Sequence, residues 1–219
     1  MTGSDAPAGV GPVVTLFETS GSLMDRIGLR LGELLGVPVV GPSLTPDAVA
    51  LALDPEAGTN DAFERLLQNL GPDAVVDAAL SNADLDAVAT RIDHNTRTVR
   101  NAARAGGVIL GRNAAFILRD WPNAFHVMLD GSWAERVNRA SEASDYAAER
   151  EALRMQLEDD VRTRLAVFAY GYDPRGLEHY DLVVNTCRLD VEQASRVIAS
   201  ALCATDNLAG DGPAQPSRG

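Results

Sequence analysis

Lysine is absent from the 219-residue chain, and all 19 of its basic residues are arginines. Chemistry that requires a lysine is thereby excluded: a Schiff base, a lysine general base, or the lysine that grips phosphates in a phosphate-binding loop. Only 2 cysteines occur, Cys187 and Cys203, without metal-ligand spacing, so neither a disulfide framework nor a zinc site is expected. No apolar run approaches the roughly 18 residues of a membrane span. The start, Met1 to Gly11, lacks the basic-then-apolar order of an export signal, so a cytoplasmic protein is expected. Positive charge is also scarce: 31 acidic residues against 19 basic ones leave a net charge of −12. Nucleic acid and anionic membranes are therefore not expected as partners, and any bound anion must be held by local groups.

What is present is the composition of a soluble globular domain, 46% hydrophobic and 23% charged. The β-branched run Val13 to Phe17 reads as a buried strand entering a turn-prone loop, Glu18 to Ser22. Leu23, Met24, Ile27, Leu31, Leu34 and Leu35 then recur at helical spacing as far as a stop at Gly36. Gly28 and Gly32 lie one turn apart in that helix, which suits close approach to a sheet.

A small helical excursion is expected between Val37 and Asn82, with patterns at Asp47 to Leu53 and Ala62 to Leu70. A longer helix follows from about Leu85 to Arg104. Strand and helix then alternate: strand Val108 to Leu110, helix Ala114 to Asp120, strand Phe125 to Leu129, helix Trp133 to Ser141. A charged helix, Tyr146 to Phe168, is expected to carry an apolar stripe at Leu153, Leu157, Val161 and Leu165, before a last strand, Asp181 to Asn185, and a last helix, Val191 to Leu202. The alternation predicts an α/β fold with a doubly wound parallel sheet. Residues 1–10 are expected to be a flexible start, 11–205 a single domain and 206–219 a disordered tail.

In such a sheet ligands sit beyond the carboxyl ends of strands, so the loops after the strands carry the candidates. Ser20, Gly21 and Ser22 precede a helix N-terminus, where free amides and the dipole favour phosphate; the plainer alternative is an ordinary N-cap, with Ser22 expected near it. Arg112 and Asn113 follow a strand and offer a fork and an amide to a phosphate or a base edge. Arg136 and Arg139 on one helix, with Arg150, Arg154, Arg162 and Arg164 on the next, form a dense cationic group. The plain alternative is pairing with Glu142, Glu149, Glu151 and Glu158. His126 reads as a core or edge residue, and Asp159 with Asp160 as carboxylates that face solvent and an arginine.

The segments GVILGRNAAFILRD (107–120), NAFHVMLDGSWAERVNR (123–139) and YDLVVNTCRL (180–189), with the unit from Val13 to Gly36, resemble the cytidylate kinase-like family of P-loop nucleoside monophosphate kinases. The resemblance implies a five-stranded parallel sheet, a helical monophosphate-binding insertion at about 42–83 and a helical lid at about 141–178. It also implies ATP with Mg²⁺, the latter held by Ser22, and nucleotides as small-molecule partners. Gly21 and Ser22 match the start of the family's Gly-Ser-Gly loop, but Leu23 and Met24 stand where small residues are expected, and no lysine follows. The resemblance places Arg26 as the substitute cation and Arg112 toward the acceptor monophosphate, with Asn113 where the family has an acid. Arg136 joins the nucleotide-binding set, and Arg154, Arg162 and Arg164 stand on the transferring group.

Two functions follow. One is ATP-dependent phosphoryl transfer to a nucleoside monophosphate of the CMP or dCMP type. The other is a degenerate P-loop pseudokinase that acts as a nucleotide-binding or protein-interaction module, with a protein partner or a homo-oligomer left open.

Overall fold

The computed structural model describes residues 11–43, 81–144 and 146–210, with side chains to Thr205. The expected helices at 47–53 and 62–70, the start at 1–10 and the end of the tail lie outside those residues. Strand β1 (Val13–Glu18) leads to helix α1 (Met24–Leu35) and the two-residue strand β2 (Val39–Val40). Helix α2 (Asn82–Ala105), strand β3 (Gly107–Leu110), helix α3 (Ala114–Ile117) and strand β4 (Ala124–Asp130) follow. Helices α4 (Trp133–Glu142) and α5 (Ala148–Tyr170), a 3-10 turn (Leu177–His179), strand β5 (Leu182–Asn185) and helix α6 (Val191–Gly210) complete the order.

The strands form one five-stranded sheet in the order β2-β3-β1-β4-β5, with every pairing parallel. Alternation along β1 distributes its side chains to two packed faces. Val14 and Leu16 join Ile27 and Leu31 of α1 and Ala194 and Ile198 of α6 on one side. Val13 joins Val99 and Ala103 of α2, Ile109 and Leu118 on the other. Fully burying such a side chain contributes about 1.5–3 kcal/mol, so these layers, not helix propensity, fix where the loops end up. The close approach read from Gly28 and Gly32 is present: a Cβ on Gly28 would stand 2.4 Å from Leu110 Cδ2, and one on Gly32 2.4 Å from Val39 Cγ2.

Four sequence expectations need correction. Strand β2 falls where only a helical excursion was expected. Helix α3 stops at Ile117 rather than Asp120, and α6 runs on to Gly210. Of the stripe expected on α5, Val161 is buried, but Leu153 is 70% exposed, and Glu151, Met155 and Glu158 are buried instead. The face of α5 that packs inward is therefore partly charged, and those charges meet the loop after β1.

Candidate functional site

A parallel sheet gathers the carboxyl ends of its strands along one edge, and here that edge brings together Glu18, Gly111, Asp130 and Thr186. After β1, Thr19 N donates to Leu129 O at 3.1 Å and Ser22 N to Thr19 O at 3.1 Å, closing a tight turn in which Gly21 takes φ +82°. The N-cap is Leu23, in left-handed conformation with φ 66°, directly after Ser22, which was expected near the cap. Leu23 has no side-chain oxygen, so the helix start is served from upstream: Met24 N donates to Glu18 Oε2 at 3.0 Å. Ser22 Oγ lies 3.1 Å from Thr19 Oγ1, which donates to Asp130 Oδ1 at 2.6 Å.

The remaining polar groups of the loop are held by α4 and α5. Ser20 N donates to Asp159 Oδ1 at 2.8 Å and Ser20 Oγ to Glu158 Oε2 at 2.9 Å. Arg136 Nη1 donates to Ser20 O at 2.6 Å and its Nε to Gly131 O at 3.1 Å. Arg139 bridges two loops, donating to Gly21 O at 2.5 Å and Thr186 O at 2.7 Å. Arg162 donates to Ser20 Oγ at 3.2 Å and lies 4.0, 3.8 and 3.7 Å from Glu18, Glu158 and Asp159. Burial pushes the Glu18 carboxyl up to about 7, against the opposing pull of Arg162 and the Met24 amide. Burial likewise raises Glu158 and Asp159, opposed for Glu158 chiefly by Arg162 and for Asp159 chiefly by the Ser20 amide.

These contacts test the loop against a triphosphate. Two amides at the loop, Ser20 N and Met24 N, already carry carboxylates. The face of Gly21 left open by its missing side chain is taken by Met155, whose Cε would meet a Cβ there at 2.8 Å. A phosphate entering this loop would have to displace the Asp159 and Glu18 oxygens from those amides, and it would meet Glu158 as well as Arg136, Arg139 and Arg162. The residues present do not fit ATP, nor a Mg²⁺ ion that Ser22 would hold against its phosphates.

On the other side of β1 the turn after β3 holds three consecutive left-handed residues, Gly111 (φ 62°), Arg112 (φ 59°) and Asn113 (φ 55°). Two of them carry side chains, a strain that persists only where surrounding contacts over-determine it. Arg112 Nε donates to Gly41 O at 2.5 Å and Nη1 to Asn95 Oδ1 at 3.2 Å, while Asn113 Oδ1 accepts from Tyr172 Oη at 3.1 Å. Beside them opens a small, open cleft of about 50 Å³ lined by Phe17, Glu18, Met24, Arg112, Arg162 and Leu165. It shares Ser43, Asn113 and Leu165 with a second recess of about 60 Å³ that reaches Arg91, Asn95 and Tyr170.

The expected site residues thus divide. Ser20, Gly21, Ser22, Arg136 and Arg162 converge on the loop, and Arg112 and Asn113 face the cleft with Arg162. Arg154 instead pairs with Glu151 at 2.6 Å and with Glu158, as the plain alternative held. Arg26 and Arg164 are exposed on α1 and α5. Arg26 makes no hydrogen bond or ion pair among the described residues. Met24, expected to crowd the loop, is buried in the core with Ile27 and Leu31. Asp159 was expected to face solvent and an arginine and does meet Arg162, but it also turns to the loop; Glu18 and Met155 were not singled out. The usable signal was the spacing of Glu158 and Asp159 from Arg162, four and three residues on, which puts an acid and a base on one helix face.

The parallel sheet, its flanking helices and the loop at the end of β1 define the class: an α/β P-loop kinase fold. The cytidylate kinase-like family model matches residues 13–188, and the chain belongs to that family. A protein of uncharacterised function from Eubacterium ventriosum superposes with a TM-score of 0.61 at 18% identity, covering 88% of this chain and 99% of that one. A gluconokinase from Sinorhizobium meliloti superposes with a TM-score of 0.51 at 16% identity, covering 92% and 98%. At these identities the likeness is one of fold. A uronate isomerase from Corynebacterium glutamicum is 31% identical over 136 residues, 62% of this chain and 26% of that protein. The chain therefore spans about a quarter of the length of this curated relative.

Proposed function

We propose that this chain is a catalytically degenerate member of its kinase-like family, a ligand-binding or protein-interaction module that does not transfer phosphoryl groups. The hydrogen bond from Ser20 N to Asp159 carries this reading, because it puts the protein's own carboxylate where a kinase of this fold needs phosphate oxygen. The missing lysine and the carboxylate of Glu18 at the start of α1 support it. Phosphoryl transfer depends almost wholly on positioning and charge neutralisation, and loss of one cation alone can cost about 10³–10⁵ in rate. Small molecules would then enter by the Arg112 cleft, and a protein partner or a second copy would read the fold rather than a product.

The second reading is transfer from ATP, with Mg²⁺, to CMP or dCMP. Arg162 beside Ser20 favours it, since a lid arginine near the loop is what such transfer needs. A coupled assay with ATP, Mg²⁺ and CMP or dCMP separates the two. No turnover above buffer, together with no thermal shift by ATP, is expected. Turnover that disappears in Arg162→Ala would establish the kinase instead.

A further inference from the structure

Helix α2 carries a charge order that its own fold does not use. Its inward side holds Val88, Val99 and Ala103 in the core, and from that side Asn95 donates to Arg112 O at 2.9 Å and to Tyr170 Oη at 3.1 Å. On the opposite side Asp86, Thr90, Asp93, Arg97, Arg100 and Arg104 are all exposed. Their spacing alternates four residues and three, the seven-residue repeat that keeps one stripe in line along a helix paired with another. Two acids and a threonine fill the first half of the stripe, and three arginines the second.

The helix alone does not account for this order. Its macrodipole favours acids in the first turn and bases in the last and fades beyond them, so it reaches Arg104 but not Asp86, Asp93, Arg97 or Arg100. Asp93 and Arg97 pair with each other one turn apart. Asp86 and Arg100 make no ion pair among the described residues, and Arg104 donates to the neutral Asn101 Oδ1 at 3.0 Å.

Turned end for end, the stripe complements itself. Two antiparallel copies of α2 crossing beside residue 95 set Asp86 against the second copy's Arg104, Asp93 against its Arg97 and Thr90 against its Arg100. Two-fold symmetry makes each contact twice. Around the axis Asp93 and Arg97 of both copies form a ring of four alternating charges, a network rather than an isolated surface pair. A parallel pairing would put acid on acid and arginine on arginine. Ala83 and Ala89, exposed on the two flanks of the stripe, leave room for a second backbone.

We propose that α2 is a self-association surface, which pairs with a second copy of the chain as a two-fold antiparallel helix pair. The pairing holds whether or not the chain transfers phosphoryl groups. It is weak, because exposed ion pairs contribute little each and the stripe buries no large apolar side chain. At about 0.1 M salt a Debye length of about 10 Å screens the net charge of −12 that holds two copies apart, while charges in contact still attract.

Sedimentation equilibrium of the full chain tests this. Dimer is expected to accumulate at about 0.1–1 mM protein in about 0.1 M salt, with an association constant about tenfold lower or more in about 1 M salt. Asp86→Arg and Arg104→Glu each set like charges against one another at both ends of the pair. Each alone is expected to weaken the dimer about tenfold or more and to leave the circular dichroism unchanged, since both positions are exposed. Mixed in equal amounts, the two variants present opposite charges again and are expected to associate with each other as the parent does with itself. Should either lose helicity, Asp93→Arg mixed with Arg97→Glu makes the same exchange nearer the axis. A chain that stays monomeric to about 1 mM, a dimer that neither substitution weakens, or a folded pair of variants that fails to associate on mixing would overturn the proposal.

Discussion

Ser20 and Asp159 stand 139 residues apart and meet through a backbone amide and a carboxylate oxygen at 2.8 Å. This contact joins the loop after the central strand to the middle of α5, and Ser20 Oγ with Glu158 doubles it. The two acids reach the loop because Met155, one turn before them on α5, packs against Gly21. Loop, helix and sheet edge are thus one packed unit.

Removing the carboxylate should be felt directly. Asp159→Ala is expected to cost about 1.5–3 kcal/mol in urea unfolding, the range for a hydrogen bond to a charged group. An unchanged midpoint would mean that the Ser20 amide finds another acceptor.

Glu18 sets a pH dependence with a definite sign. Its folded pKa of about 7 lies above the ordinary 4.5, so between those values the folded state binds the extra proton. The stability this supplies is complete below about pH 4.5 and is lost as pH rises through about 7, a change on the order of 3 kcal/mol at most. Glu158 and Asp159 are raised in the same direction and add to the slope. Glu18→Gln should therefore flatten the decline between pH 5 and 8 in denaturant midpoints, about as far as its own share; a parallel curve would remove Glu18 from the account.

Gly28→Ala tests how closely α1 lies on the sheet. In an exposed helix the change would gain about 1 kcal/mol. Here the new methyl would stand 2.4 Å from Leu110 Cδ2, and overpacking of this kind costs about 1–3 kcal/mol. A lowered melting temperature is expected, and a raised one would show that Leu110 moves freely.

Arg26→Ala is expected to leave stability within about 0.5 kcal/mol, as for an exposed residue with no partner among the described residues. It should also leave ATP turnover at buffer level. Turnover in the parent that falls by orders of magnitude in this variant would restore Arg26 as the loop cation.

The alternation of strands and helices was legible because their packed faces are made of apolar residues at periods the sequence displays, as in Val13–Glu18 and α1. Strand β2 was not, since two valines between Pro38 and Gly41 show no period. The packed face of α5 was hidden for a different reason. Glu151 and Glu158 sit at buried positions with Arg154 and Arg162 as partners, and a count of apolar residues passes over them. Arg112 and Asn113 were legible as a strand-end pair, whereas their left-handed backbone has no signature beyond Gly111.

The contact of Ser20 with Asp159 turns one amide proton into a gauge of the molecule's opening. In a loop whose amides faced water, that proton would exchange with solvent almost unhindered. Here it is held by the Asp159 carboxylate and exchanges when that contact opens, so its protection against deuterium reads the local opening of loop and α5, apart from global unfolding. A ligand that needs the helix in place slows this exchange, and one that must displace the helix speeds it.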